Sequence, residues 1–139
     1  MEKVINIDGK NVGFRASALT PRLYRHKMGR DIVRDLNALD KAYKKAVESQ
    51  HISKPGPNAD AEEVKQYEEK IRDAQLTVTD LEIFENVAFI MARQYDPSIA
   101  ETPEEWLESF NVFSIYEILP EILQLWGKNQ QTTAKPKKK

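Results

Sequence analysis

The chain has 139 residues and a net charge of −1, with 40% apolar residues, 31% charged residues and no cysteine. One domain around one core suits that length, and the missing cysteine removes disulfides, thiolate zinc sites and thiol nucleophiles. The N-terminal MEKVINIDGK has no apolar run behind a basic segment, so it does not read as a secretory leader. No stretch approaches the roughly 20 apolar residues of a membrane span, and a soluble, intracellular protein is expected. The small net charge conceals a segregation. Residues 1–34 hold eight Lys and Arg against three Asp and Glu, residues 60–121 hold four against sixteen, and residues 122–139 add five lysines. Such asymmetry suits docking of one half on the other or recruitment of charged partners, self-association included; two differently charged solvated faces account for it equally well.

In chain order, Lys3–Ile7 and Lys10–Phe14 flank Asp8-Gly9, a dipeptide favoured in two-residue hairpin turns because both central residues need positive φ. A β-hairpin over about residues 3–14 is expected. Alternation within KVINI is imperfect, which leaves the register open, and two strands alone are marginal unless packed on helices. Thr20-Pro21 reads as a helix start, a capping hydroxyl followed by proline at the first helical position, and Gly29 as its stop, although Gly29 could instead sit within one bent helix. A second helix follows through Ile32, Val33, Leu36, Leu39, Tyr43, Ala46 and Val47, which recur at helical spacing. QHISKPGPNAD, residues 50–60, reads as a loop. Residues 61–76 read as a surface helix with a thin apolar stripe of Val64, Tyr67, Ile71 and Leu76.

The strongest periodic signal is TDLEIFENVAFIMARQY, residues 79–95. Leu81, Phe84, Ala88, Met91 and Tyr95 recur at steps of three and four, and Ile83, Val87 and Ile90 widen the row. A helix this apolar has to be covered on more than one side, which predicts a central core helix. Thr79 and Glu82 offer a capping box, and Asp96-Pro97 ends the helix because the residue before proline avoids the α region. Thr102-Pro103-Glu104-Glu105 opens a short helix, EEWLESF. Ser114 opens another, which runs to Trp126 before Gly127 and carries Pro120 inside it, where a kink is expected. The expected fold is mostly α with a small N-terminal β-hairpin, an α+β domain over residues 1–127 built around the helix at about 79–95. Residues 128–139 are expected to be a disordered basic tail.

The residues give little support for catalysis. His26 and His51 stand alone without paired metal-ligand spacing, and no glycine-rich phosphate loop occurs in a strand–turn–helix context. Glu104, Glu105 and Glu108 crowd one helical turn, where carboxylates favour the N-terminal dipole, and nothing sets two carboxylates in contrasting environments. No catalytic, metal or cofactor residue is assigned. Arg22, Arg25, Lys27, Arg30 and Arg34, with Tyr24 between them to stack on a base, make Arg22–Arg34 the interface of the alternative reading, a small helical nucleic-acid-binding regulator. The acidic balance of the domain opposes a phosphate backbone. Arg22, Arg25 and Arg30 also form a secondary candidate site for a neighbouring subunit, although pairing with this chain's own acids is the simpler account. Five aromatic rings, Trp106, Phe110, Phe113, Tyr116 and Trp126, fall within 21 positions. Most of them could simply complete the core, but short helices have limited capacity to bury all five, so Trp106, Phe110, Phe113 and Trp126 are the candidate partner-binding residues, with at least one ring expected at the surface.

The hairpin with IDGK, followed by FRASALTPRLYRHKMGRDIVRDL, resembles the tail assembly chaperones of long-tailed bacteriophages and prophages. Phe14, Thr20-Pro21, Arg22, Tyr24-Arg25 and Gly29-Arg30-Asp31 carry the likeness, and AFIMARQYDP, EEWLESF and FSIYEILPEILQLW resemble the family's second block. Together these blocks span most of residues 3–126. The resemblance implies a non-enzymatic chaperone of the host bacterial cytoplasm, without a cofactor. It would bind the tape measure protein, help tail tube protein polymerise around it, and be absent from the mature virion. It also implies that a ribosomal frameshift can append a further domain; Lys137–Lys139 fit an A-rich slippery sequence and fit an ordinary solubilising tail equally well.

Overall fold

The computed structural model describes residues 1–49 and 53–133. Among these residues two strands and six helices follow one another: β1 (Glu2–Ile7), β2 (Lys10–Arg15), α1 (Thr20–Met28), α2 (Ile32–Glu48), α3 (Ala61–Asp73), α4 (Val78–Tyr95), α5 (Pro103–Glu108) and α6 (Ile115–Thr133). The fold is therefore mostly α with an N-terminal antiparallel hairpin. Asp8 and Gly9 make the turn with φ of 54° and 79°, as a two-residue hairpin requires. The register pairs Ile7 with Lys10, Ile5 with Val12 and Lys3 with Phe14. Ile5, Ile7 and Phe14 thereby turn into the core while Val4 and Asn6 face water. Mutual backbone bonds between Met1 and Ala16 extend the ladder beyond its last strand pair.

Gly29, at φ 70°, closes α1 with its N–H on the Arg25 carbonyl, and the Asp31 carboxylate accepts from the Val33 N–H to start α2. The other end of α1 corrects the reading of Thr20 as its cap. Leu19 occupies the cap position, and Thr20 is fully buried. Its hydroxyl accepts from the Ser17 N–H at 2.9 Å and donates to the Gln94 side-chain oxygen at 2.6 Å. Gln94 in turn donates to the Ser17 hydroxyl. A buried hydroxyl needs a partner, and this closed ring ties the head of α1 to the tail of α4.

The start of α4 is likewise two residues earlier than expected. Thr77, not Thr79, is the cap, and it exchanges bonds with Asp80 rather than Glu82 in a reciprocal capping box. Both threonines stand three residues before an acid, so both satisfy the box spacing; the earlier one adds about half a turn. Leu81 then lies in that first turn and is 37% exposed, which corrects its placement on the buried row. Phe84, Val87, Ala88 and Met91 are buried as expected, and so is every residue from Val87 to Ala92. Covering six consecutive residues of a helix requires neighbours on all sides, and β2, α1, α2, α5 and α6 supply them. On β2 the approach depends on a missing side chain: a Cβ at Gly13 would stand 2.2 Å from the Tyr95 ring.

Two further boundaries differ from expectation, and the first is the end of α3, at Asp73 rather than Leu76. α6 passes through Gly127 and continues to Thr133, so residues 128–133 belong to a helix rather than to a disordered tail. Glycine costs only about 1 kcal/mol in a helix interior, and no proline intervenes before Pro136. α3 is as thinly embedded as its composition implies, with none of residues 61–72 buried. His51, much of the expected loop's start and the terminal lysines lie outside the described residues. Phe84, 2% exposed, should cost about 3–5 kcal/mol when replaced by Ala, whereas Leu81→Ala should cost about 1 kcal/mol or less. Urea midpoints of the two variants measure the contrast, and equal losses would contradict the burial pattern of α4.

Candidate functional site

Trp106 is the hub of the aromatic end. Thr102 caps α5 through the Glu105 N–H, and four residues on from that cap the indole projects inward. Its ring centroid lies 5.2 Å from Phe113, 5.4 Å from Phe110, 6.0 Å from Phe89 and 6.3 Å from Phe14. The Phe110 and Phe113 contacts are edge-on, the geometry that the ring quadrupoles favour. Phe113 also meets Phe84 of α4 at 5.2 Å. Trp106 and Trp126 are both buried, which corrects their assignment as partner-binding anchors; their area is consumed in joining α5 and α6 to the core. Phe110 and Phe113 are half-buried. The side chains that water reaches at this corner are Val112, at 61%, and Tyr116, at 47%, with Tyr116 leaning on Tyr43 at 5.9 Å.

The hairpin closes the same corner from the other side. Lys10 places its ammonium 5.4 Å from the Phe110 ring centre and donates to the Ser109 carbonyl. The Asp8 carboxylate accepts from the Asn111 N–H at 2.9 Å. Between hairpin and α5 lies an open groove of about 440 Å³ whose walls include Val12, Gly13, Tyr95, Trp106 and Phe110. These surfaces can hold apolar or aromatic groups by contact.

The arginine cluster separates into two kinds. Arg30 makes a bidentate pair with Asp35, at 2.7 and 2.9 Å, and the same carboxylate accepts from the Tyr24 hydroxyl at 2.7 Å. Burial pushes the Asp35 carboxyl up, but the bonds from Arg30 and Tyr24 outweigh it and hold the carboxyl below its usual range. Burial and the Asp35 bond raise the Tyr24 phenol, and the Asp35 bond raises Arg30. Tyr24 is fully buried, which corrects its role as a base-stacking residue, and Arg30 is bound to its own chain. Arg22 and Arg25 are exposed and, among the described residues, make no ion pair.

Two more surfaces escape the sequence reading. An open cleft of about 300 Å³ brings Glu82, Glu85 and Glu104 beside Lys27, Met28 and Leu107; burial, then the charge of Glu82, raises the Glu85 carboxyl. An apolar groove of about 330 Å³ lies between α1 and α4, signalled in the sequence only by the four-residue spacing of Leu19, Leu23 and Lys27. Among the described residues no cluster of three or more His, Asp or Glu could hold a metal ion, and no helix is long and apolar enough to cross a membrane. No protein-family model, curated protein or solved structure matches this chain.

Because its folded-state ionisation lies below the unfolded value, Asp35 contributes stability that is fully present above about pH 4. That contribution is lost as pH falls through the depressed value. Asp35→Asn should therefore lower the urea midpoint at neutral pH and flatten the loss of stability on acidification. An unchanged acid limb in the variant would show that other carboxylates govern it.

Proposed function

We propose that the chain is a non-enzymatic tail assembly chaperone of a long-tailed bacteriophage or prophage. It acts in the host bacterial cytoplasm, holding the tape measure protein while tail tube protein polymerises around it. The observation that carries this function is the corner between α5 and α6, where Val112 and Tyr116 are exposed and Phe110 and Phe113 half-buried. Glu105, Glu108 and Glu117 stand exposed around them. A chaperone needs apolar area that water covers poorly, rimmed by charge that keeps the free protein in solution. The Trp106 cluster behind this strip fixes its shape, so little ordering cost opposes binding, and the carboxylates favour a basic client segment. The tape measure protein as client comes from the resemblance of residues 3–126.

Co-expression with the tape measure protein should move that protein from the aggregated to the soluble fraction. Val112→Asp combined with Tyr116→Ala should weaken the complex by about 2 kcal/mol, as at an interface hot spot, with the melting temperature unchanged. A client that stays aggregated beside the unaltered chain would refute the chaperone function. Solubilisation that persists at full affinity with the double variant would move the binding surface away from this corner.

A further inference from the structure

The groove between α1 and α4 is lined by Leu19, Leu23, Ile90 and Pro97, with Gln94, Lys27 and Arg93 at its margin. Leu19 is 48% exposed, so the groove is open to a partner rather than filled from within. The charged residues of the lining are both cations. Lys27 donates to the Glu101 carbonyl at 2.9 Å, and Arg93 donates to the carbonyls of Ile99 and Ala100 at 3.1 and 2.9 Å. Those acceptors are neutral carbonyls, which leave the charge of Arg93 uncancelled, whereas Lys27 also stands beside Glu82, Glu85 and Glu104 of the neighbouring cleft and is the weaker cation of the rim. One helical step from the Leu19–Leu23 row stand Arg22 and His26, both exposed. A chain with a net charge of −1 thus presents here an apolar trough with a basic rim.

We propose that this groove is a docking site for an amphipathic helix of a partner protein, one that sets a row of apolar side chains into the trough and places Asp and Glu along its flanks. A crevice between two helices accepts a third by packing ridges into grooves, and recognition then reads anchors at i, i+3 or i+4, and i+7. Leu19 and Leu23 repeat at the matching interval. Acidic flanks complement Arg22, Lys27 and Arg93, and like charge on the rim rejects the basic helices that the acidic α5–α6 corner favours. This site stands independently of the chaperone function.

The test is a selection of random peptides of about 16 residues, long enough for about four helical turns, displayed and panned against the intact chain. Enriched sequences should carry apolar residues at helical spacing with Asp or Glu between them, and the synthetic peptides should gain helicity on binding. Leu19→Asp should weaken their binding about thirtyfold, as loss of a hot-spot anchor does. Aspartate is a favoured helix cap, so this variant keeps the start of α1, and an unchanged melting curve verifies it. Arg22→Glu with Lys27→Glu should cost about tenfold and reduce the salt dependence. Enrichment of basic or extended sequences, or full affinity for the Leu19→Asp variant, would overturn the proposal. So would peptide-free self-association that Leu19→Asp abolishes, because a second copy of the chain would then be the occupant.

Discussion

Enclosure of α4 is the constraint on which the other elements depend. From Val87 to Ala92 the helix has no face left for water, and burying each large apolar side chain there is worth about 1.5–3 kcal/mol. Only elements on every side can realise that gain, which is why a chain of 139 residues spends its hairpin and four of its helices around one rod. Small residues decide how near they come. Gly13 leaves room for the Tyr95 ring, and Ala88 and Ala92 present short side chains along α4 itself. The hairpin, too small to persist alone, is secured by α4 behind β2 and α6 beside β1, where Lys3 meets Glu121 and Gln124.

Polar groups within this apolar setting fix orientation more than they add stability. The Ser17–Thr20–Gln94 ring satisfies each side-chain partner it buries and sets α1 against the end of α4. Tyr24, Arg30 and Asp35 do the same between α1 and α2, across the Gly29 turn. Asp35 is buried but the Arg30 side chain is half exposed, so solvent screens their attraction and the pair is weak evidence of stability. Its geometry is demanding, however: one carboxylate serves a phenol from α1 and a guanidinium from the turn, which a shifted α2 could not provide. The same economy explains why the basic segment is less available than its composition suggests.

Elements were legible in the sequence where one local rule had no rival. Asp8-Gly9 had a single physical solution, and the middle of the α4 row, Phe84 to Met91, held while its ends at Leu81 and Tyr95 are exposed. Boundaries failed where rules competed: Thr77 and Thr79 both precede an acid by three residues, and Gly127 serves equally as a stop or as a tolerated interior residue. Of the four candidate aromatic residues, Trp106 and Trp126 are buried, and the sequence concealed this for a different reason. Aromatic density counts rings but does not say which way each one points, and the cap at Thr102 turns Trp106 inward while Val112 and Tyr116 are left outside. Tyr24 reads as a surface residue among arginines until Asp35, eleven residues away, receives its hydroxyl. The acidic cleft has no local signature and the α1–α4 groove only the spacing of Leu19, Leu23 and Lys27, because each joins residues far apart in the chain.

Two apolar surfaces, the α5–α6 corner and the α1–α4 groove, are mounted on α4. The α5–α6 corner is tied to it through Phe84 and Phe113, and the groove includes Ile90, Arg93 and Gln94 of the same helix. The stretch of α4 from Val87 to Ala92 is buried on every side, so the two surfaces share one packed support. Their rims carry opposite charge, acidic at the corner and basic at the groove, and each therefore discriminates against the partner suited to the other. A client that offered a basic apolar segment and an acidic helix at the right separation would bind the second after the first as an intramolecular event, with avidity set by the span between them. On these two proposals, the segregation of charge along the sequence would suit different partners to two regions of one support.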